Sequence, residues 1–218
     1  MHKTSDISLE FDVLRENKKI AEKNHSILRE RGIKSVDIMG SIGSGKTALI
    51  ERIASEMINK GLRPAAVAGD VTGQDDYERF TSIGIPSVNI NTGKECHLDA
   101  HLVSHALEQL DLDSIDFLFI ENVGNLVCPA DFPLGTDKRL VLISVTEGDD
   151  MVRKHPMIFS IADIAALNKI DLVPYLDIDP ERIASDYRKI TKNKSMHMIS
   201  VKRGDGIPQL AKDMGIEI

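Results

Sequence analysis

Val36-Asp37-Ile38-Met39-Gly40-Ser41-Ile42-Gly43-Ser44-Gly45-Lys46-Thr47 decides how this chain folds, because an apolar run there passes through a glycine-rich turn into a helical stretch from Ala48 to Lys60. Gly40 to Thr47 fits G-x-x-x-x-G-K-[ST], and its place between a strand pattern and a helix pattern makes it a phosphate-binding loop. The glycines let the backbone curl until successive N–H groups point inward, and the positive end of the following helix faces the same point. A nucleoside triphosphate is the expected ligand. Gly40, Gly43, Ser44, Gly45 and Ala48 belong to that cradle, and Lys46 reaches for the β- and γ-phosphates. Thr47 offers its hydroxyl to magnesium, which shares its oxygen shell with nucleotide phosphates.

Outward from this turn, apolar runs recur near residues 34–39, 64–69, 86–90, 115–121, 139–145, 163–168 and 196–200, separated by helical patterns. The alternation predicts β-α-β units and an α/β fold, a three-layer P-loop NTPase with a mostly parallel, seven-stranded sheet. Ahead of the first strand, Ser8 to Arg31 spreads Leu9, Val13, Ile20, Ile27 and Leu28 among charges and stops at Gly32. That is the pattern of an amphipathic helix with a glycine C-terminus. Residues 1–32 are therefore read as a helical appendage packed on the domain, and 33–218 as the nucleotide-binding domain.

Composition narrows the function classes. The 218 residues are 42% hydrophobic, enough for a sizeable core, and contain no tryptophan. No stretch approaches the roughly 18 apolar residues of a membrane span. The opening Met1-His2-Lys3-Thr4-Ser5-Asp6 leads into a charged segment without an apolar signal core, so a cytoplasmic location is expected. A net charge of -7 argues against broad nucleic-acid binding, which needs many lysines and arginines on phosphates. Neither a nucleic acid nor a membrane is an expected partner.

Asn168-Lys169-Ile170-Asp171 follows the apolar run 161–167 and so hangs at the carboxyl end of a strand, where ligands of parallel sheets bind. An aspartate in the base plane accepts from N1–H and the 2-amino group of guanine; adenine has no such donor pair. Asp171 thus selects GTP, with the Lys169 stem along the base, Asn168 bracing the loop, and Ser200-Val201-Lys202 closing the far side. Asp70 and Glu121 end two further strands on the same rim and are expected to hold magnesium directly or through water. Asp75, on the loop between, is expected to sense the γ-phosphate or orient water. Asp76 is read as the N-cap of a following helix.

The only two cysteines, Cys96 and Cys128, sit in loops, and His97 adjoins the first. Lys94 and a helix starting at His97 are expected to depress the Cys96 thiol and favour its metal-binding thiolate. Three ligands are one short of a closed zinc shell, so the site is open or is finished across a two-fold axis, which predicts a metal-promoted dimer. His101 and His105 follow at helical steps and are candidates to extend it.

With these residues in hand, the chain resembles the HypB family of GTPases that incorporate nickel during hydrogenase maturation. The resemblance runs over nearly the whole chain and is carried by Thr92-Gly93-Lys94-Glu95-Cys96-His97-Leu98-Asp99-Ala100, by Glu121-Asn122-Val123-Gly124-Asn125-Leu126-Val127-Cys128-Pro129, and by Ser144-Val145-Thr146-Glu147-Gly148-Asp149-Asp150. It implies GTP hydrolysis, nickel cargo at Cys96, His97 and Cys128 with zinc able to replace it, and a GTP-favoured homodimer. It also implies a maturation partner or the hydrogenase large subunit as receiver. These residues include neither a cysteine-rich nickel motif nor a histidine-rich tract, which leaves the Cys96/His97/Cys128 set as the candidate carrier. Other readings are a urease-type nickel-insertion GTPase, disfavoured because that family carries Cys-Pro-His where Cys96 and His97 are adjacent, and a P-loop kinase or regulatory GTPase with a structural zinc.

Overall fold

The computed structural model describes residues 3–192 and 194–218, with backbone alone over residues 3–10. Seven strands alternate with helices: β1 Lys34–Gly40, β2 Pro64–Asp70, β3 Ser87–Asn91, β4 Phe117–Glu121, β5 Lys138–Ser144, β6 Ile164–Asn168 and β7 His197–Met198. They form one sheet in the order β3-β2-β4-β1-β5-β6-β7, every pairing parallel. The expected run near 196–200 pairs only over its first part, since β7 is an edge strand and Ser200 turns away to bridge Asp205.

Among the described residues eight α-helices cover this sheet: α1 Lys3–Glu30, α2 Lys46–Asn59, α3 Asp75–Ser82, α4 Ala100–Gln109, α5 Met151–Lys154, α6 Pro156–Ile161, α7 Pro180–Ile190 and α8 Ile207–Met214. Side chains alternate across each strand, so neighbours in sequence enter opposite cores. Val36, Ile38, Ala66 and Phe119 pack with α2, α3 and α8 on one face. Val67, Leu118 and Ile120 lie under α4 with Leu28 of α1, while Met39, Val141 and Ile143 lie under α5, α6 and α7. Each such buried Ile, Leu or Phe contributes about 1.5–3 kcal/mol, which is why both strand faces read as apolar.

The face that α1 docks coincides only in part with the apolar stripe its sequence suggests: Leu28 is buried and Ile20 and Ile27 are half-buried. Buried on it are Asn17, Ala21, Asn24 and Leu28, whereas Val13 is 56% exposed; Leu9 lies outside the described side chains. Asn17 accepts from Ala100 N at 2.8 Å and donates to Pro133 O at 2.9 Å. Asn24 donates to Ala100 O at 2.8 Å and Leu134 O at 3.2 Å. The helix thus satisfies backbone groups at the start of α4, where orphan donors need partners.

One charge lies inside β1. Asp37 is fully buried beside Arg139 of β5, its register partner, and burial pushes its carboxyl from 3.8 up to about 6 against the pull of Arg139 and Asn122. A raised folded value means the native state holds this proton longer than the unfolded chain. Its stabilising effect is complete below about pH 4 and is lost as pH rises through about 6, a change of about 3 kcal/mol. Urea melts from about pH 4 to about pH 8 should therefore show an Asp37→Asn protein gaining on the parent as pH rises. A gap independent of pH would contradict this.

Candidate functional site

Because every strand runs the same way, Gly40, Asp70, Glu121, Ser144 and Asn168 end on one rim. Register places Glu121 opposite Ile38 and Ala68, two residues below the ends of β1 and β2, so its carboxylate meets the start of α2. The result is a cleft of 360 Å³ lined by Gly43, Gly45, Lys46, Thr47, Asp70, Asp76, Arg79 and Glu121 among others. Gly45 caps α2 with φ of 100°, and a Cβ there would collide with Asn168 Nδ2. Glycine is required on both counts.

Within the cleft Lys46 Nζ lies 3.3 Å from Gly40 O, 3.2 Å from Ser41 O and 4.0 Å from Glu121 Oε1. Thr47 Oγ1 lies 2.7 Å from Asp76 Oδ1 and 3.0 Å from Glu121 Oε1. A hydroxyl has one proton and can donate to only one of them, so two carboxylates and a hydroxyl converge with acceptor capacity left over. Glu121 Oε2 is buried without a partner. Burial drives the Glu121 carboxyl up to about 8, with Lys46 opposing and Asp76 reinforcing the rise, and burial likewise lowers Lys46. This donor set fits a hard divalent cation, which takes oxygen ligands and relieves that charge.

The structure places two neighbouring aspartates otherwise than the sequence suggests. Asp75 is exposed and absent from the cleft wall, while Asp76 faces Thr47. Nor does Asp76 cap the helix, because α3 begins one residue earlier and its cap position is Gln74. One residue is about 100° of helix, so that single step turns Asp75 outward and Asp76 inward. Asp70 lines the cleft and spends Oδ1 on Val71 N at 2.6 Å. Arg79, which the sequence reading passed over, lies one turn beyond Asp76, 3.9 Å from its Oδ1, and is anchored by Glu51. Glu147 was also unassigned; it closes a capping box on Ser144 and its other oxygen accepts from Ser41 Oγ, propping the phosphate loop.

At the other end, Asn168 joins three segments: Nδ2 donates to Ser44 O at 2.9 Å, and Oδ1 accepts from Lys169 N and from Val201 N at 3.1 Å. Lys169 adopts a left-handed φ of 62°, and its Nζ donates to Gly43 O at 2.7 Å. Ser200 Oγ donates to Asp171 Oδ1 at 2.6 Å, holding that carboxyl below its ordinary range and ionised. Lys202 is exposed beside them.

Cys96, His97 and Cys128 also meet on this rim, with one ligand atom from each within 4.8 Å of the others. His97 stacks on Phe132 at 3.9 Å between centroids, and burial holds its imidazole below the ordinary range, in the neutral form a metal needs. The expected depression of the Cys96 thiol is not found. Its hydrogen bond with Cys128 and then burial push it up. The helix begins at Ala100 rather than His97, its N-terminus is taken by Asp99, and Lys94 is exposed. Cys96 therefore holds a proton that a bound metal would displace. Thiol and imidazole donors fit nickel or zinc. His101 and His105 pair with each other at 3.2 Å on the exposed face of α4 and are not among the three converging ligands.

Fold and site together define a P-loop NTPase that carries a thiol–imidazole site on its nucleotide rim. Residues 35–198 match the family described as CobW/HypB/UreG, nucleotide-binding domain. The chain is 48% identical over 210 residues to the probable hydrogenase maturation factor HypB of Methanocaldococcus jannaschii, covering 96% of this chain and 95% of that protein. It belongs to the HypB family of hydrogenase maturation factors. The crystal structure of the HypB maturation factor from Archaeoglobus fulgidus superposes with a TM-score of 0.84 at 46% identity, over 91% of this chain and 96% of that one. HypB from Helicobacter pylori, solved in complex with nickel, gives a TM-score of 0.85 at 32% identity, over 90% and 92%. No helix among the described residues is long and apolar enough to cross a membrane.

Proposed function

We propose that this protein is a GTP-hydrolysing metallochaperone that binds nickel, or zinc in its place, and assists nickel insertion during [NiFe]-hydrogenase maturation. The observation that carries the reading is that one short loop begins at Glu121, on the Thr47 hydroxyl, and ends at Cys128, beside Cys96 and His97. The nickel complex of the Helicobacter pylori relative supports nickel as cargo. Lys46 and the backbone of the phosphate loop would hold the β- and γ-phosphates, and Asp171 the guanine edge. Magnesium, held by Thr47 and Glu121 with Asp70 near, would neutralise charge on the transferring phosphoryl group.

GTP binding would draw Glu121 and the 70–76 loop into one arrangement and shift the loop ending at Cys128, assembling the metal site across a homodimer. Hydrolysis would relax it toward a maturation partner or the hydrogenase large subunit, in the cytoplasm. Coupling of this kind is reciprocal, so nickel must change nucleotide affinity by the factor that nucleotide changes nickel affinity. A Cys128→Ala protein tests the assignment: it should lose stoichiometric nickel while hydrolysing GTP at close to the parent rate. Unfolding on loss of Cys128 would instead mark a structural zinc, and unchanged nickel binding would remove the site.

A further inference from the structure

Behind the three candidate metal ligands runs a buried polar chain, one member of which, Asn122, also lines the nucleotide cleft. Leu98 N, the residue after His97, donates to Asn122 Oδ1 at 3.1 Å. Asn122 Nδ2 donates to Asp37 Oδ1 at 3.0 Å, and Asp37 Oδ2 faces Arg139 Nε at 3.7 Å. The Arg139 guanidinium then donates to Pro129 O at 2.5 Å and to Ala130 O at 3.4 Å, the two residues after Cys128. Asp37 and Asn122 have no exposed surface, and the Arg139 side chain is 16% exposed.

We propose that Asp37, Asn122 and Arg139 are positioning residues for the metal site, a strut along one face of the sheet that holds the Cys96-His97 segment and the Cys128 segment at one spacing. The inference rests on Cys96, His97 and Cys128 being the site. Metal ligands must be held within about 0.2 Å, and each end of the strut grips the residue next to a ligand, one Cα step of about 3.8 Å away. The ligand loops also touch directly, through Asn125 Nδ2 to Cys96 O at 3.2 Å, the contact of the two thiols and the stack of His97 on Phe132, but all of these are on partly exposed side chains. The strands beneath are rigid, since Asp37 and Arg139 are register partners in the middle of the sheet. Asn122 also follows Glu121 directly, so a shift of Glu121 in the cleft is passed to Leu98 as well as along the loop to Cys128.

The test is nickel(II) affinity, by competition with a chromophoric chelator, together with the thiolate absorption of the cobalt(II)-loaded protein. Arg139→Met, which frees the Cys128 end, and Asp37→Ala, which cuts both ends, should each weaken nickel binding about 10- to 100-fold and alter the cobalt spectrum. Asp37→Asn, which keeps an acceptor for Asn122, should fall between Asp37→Ala and the parent. A GTP analogue should bind all of them as it binds the parent, which also reports folding; should Asp37→Ala fail to fold, Arg139→Met and Asp37→Asn carry the test. Folded variants with parent nickel affinity and spectrum overturn the strut. Cys128→Ala run alongside separates the two claims: if it leaves nickel affinity unchanged the metal site itself is misassigned, and if it abolishes binding while the strut variants do not, only the strut falls.

Discussion

Replacing Glu121 by glutamine is expected to lower single-turnover GTP hydrolysis by about two to three orders of magnitude while making the nucleotide-free protein more stable near neutral pH. Glutamine keeps the shape and still accepts from Thr47 Oγ1, now 3.0 Å from the Glu121 carboxylate. It removes the carboxyl that, once a cation has displaced its proton, would face Thr47 and Lys46 as a negative charge beside Asp76 at the wall of the phosphate cleft. Catalysis of phosphoryl transfer depends almost wholly on positioning and charge, so an isosteric change that removes charge strikes the rate directly. Stability moves the other way. The carboxyl sits at about 8 because burial opposes its ionisation, so its contribution to stability is present at low pH and is lost as pH rises through about 8. Thermal melts without cation should show the advantage of Glu121→Gln growing across that range. Parent-rate hydrolysis at saturating GTP would end the assignment of Glu121, and a melting difference flat in pH would end the electrostatic account of its burial.

Asp171→Asn should weaken GTP by about two to three orders of magnitude and confer binding of xanthosine triphosphate. The Asp171 carboxylate is ionised and oriented by Ser200 Oγ at 2.6 Å, and in the proposed function it accepts two donors from guanine. An amide can accept only one and turns its NH₂ toward the other, which leaves two donors opposed. Xanthine has an oxo group where guanine has the 2-amino group, and so matches the amide. Displacement of a fluorescent nucleotide by GTP, XTP and ATP measures the exchange. Equal competition by ATP and GTP in the parent protein would remove the guanine reading altogether.

Much of the site was legible before any coordinates, for reasons that differ by residue. Gly40 to Thr47 can be read because one backbone path and one helix start make the whole cradle, and local sequence contains both. Asn168 to Asp171 can be read because a parallel sheet places every carboxyl end on one rim once the strands are counted. Asp75 and Asp76 could not be separated, since the choice hangs on a single residue of helix phase, set by where α3 docks. The polar part of the buried face of α1 is not legible in sequence because Asn17 and Asn24 are polar, and only the backbone ends they meet in α4 and near Pro133 make their burial favourable.

What the sequence alone determined is the repeating strand–helix order, the nucleotide motifs and the three side chains whose chemistry suits a metal, all of which depend on periodicity and chemistry within short windows. Tertiary structure decided how those pieces touch. Cys96 and Cys128 are 32 residues apart in the chain, and Cys128 pushes the Cys96 thiol up only because two loops meet. Asp37 and Arg139 are 102 residues apart and pair only because β1 lies beside β5. Electrostatic and hydrogen-bond energies act over a few ångströms of space, and distance along the chain carries no information about them until the sheet is assembled.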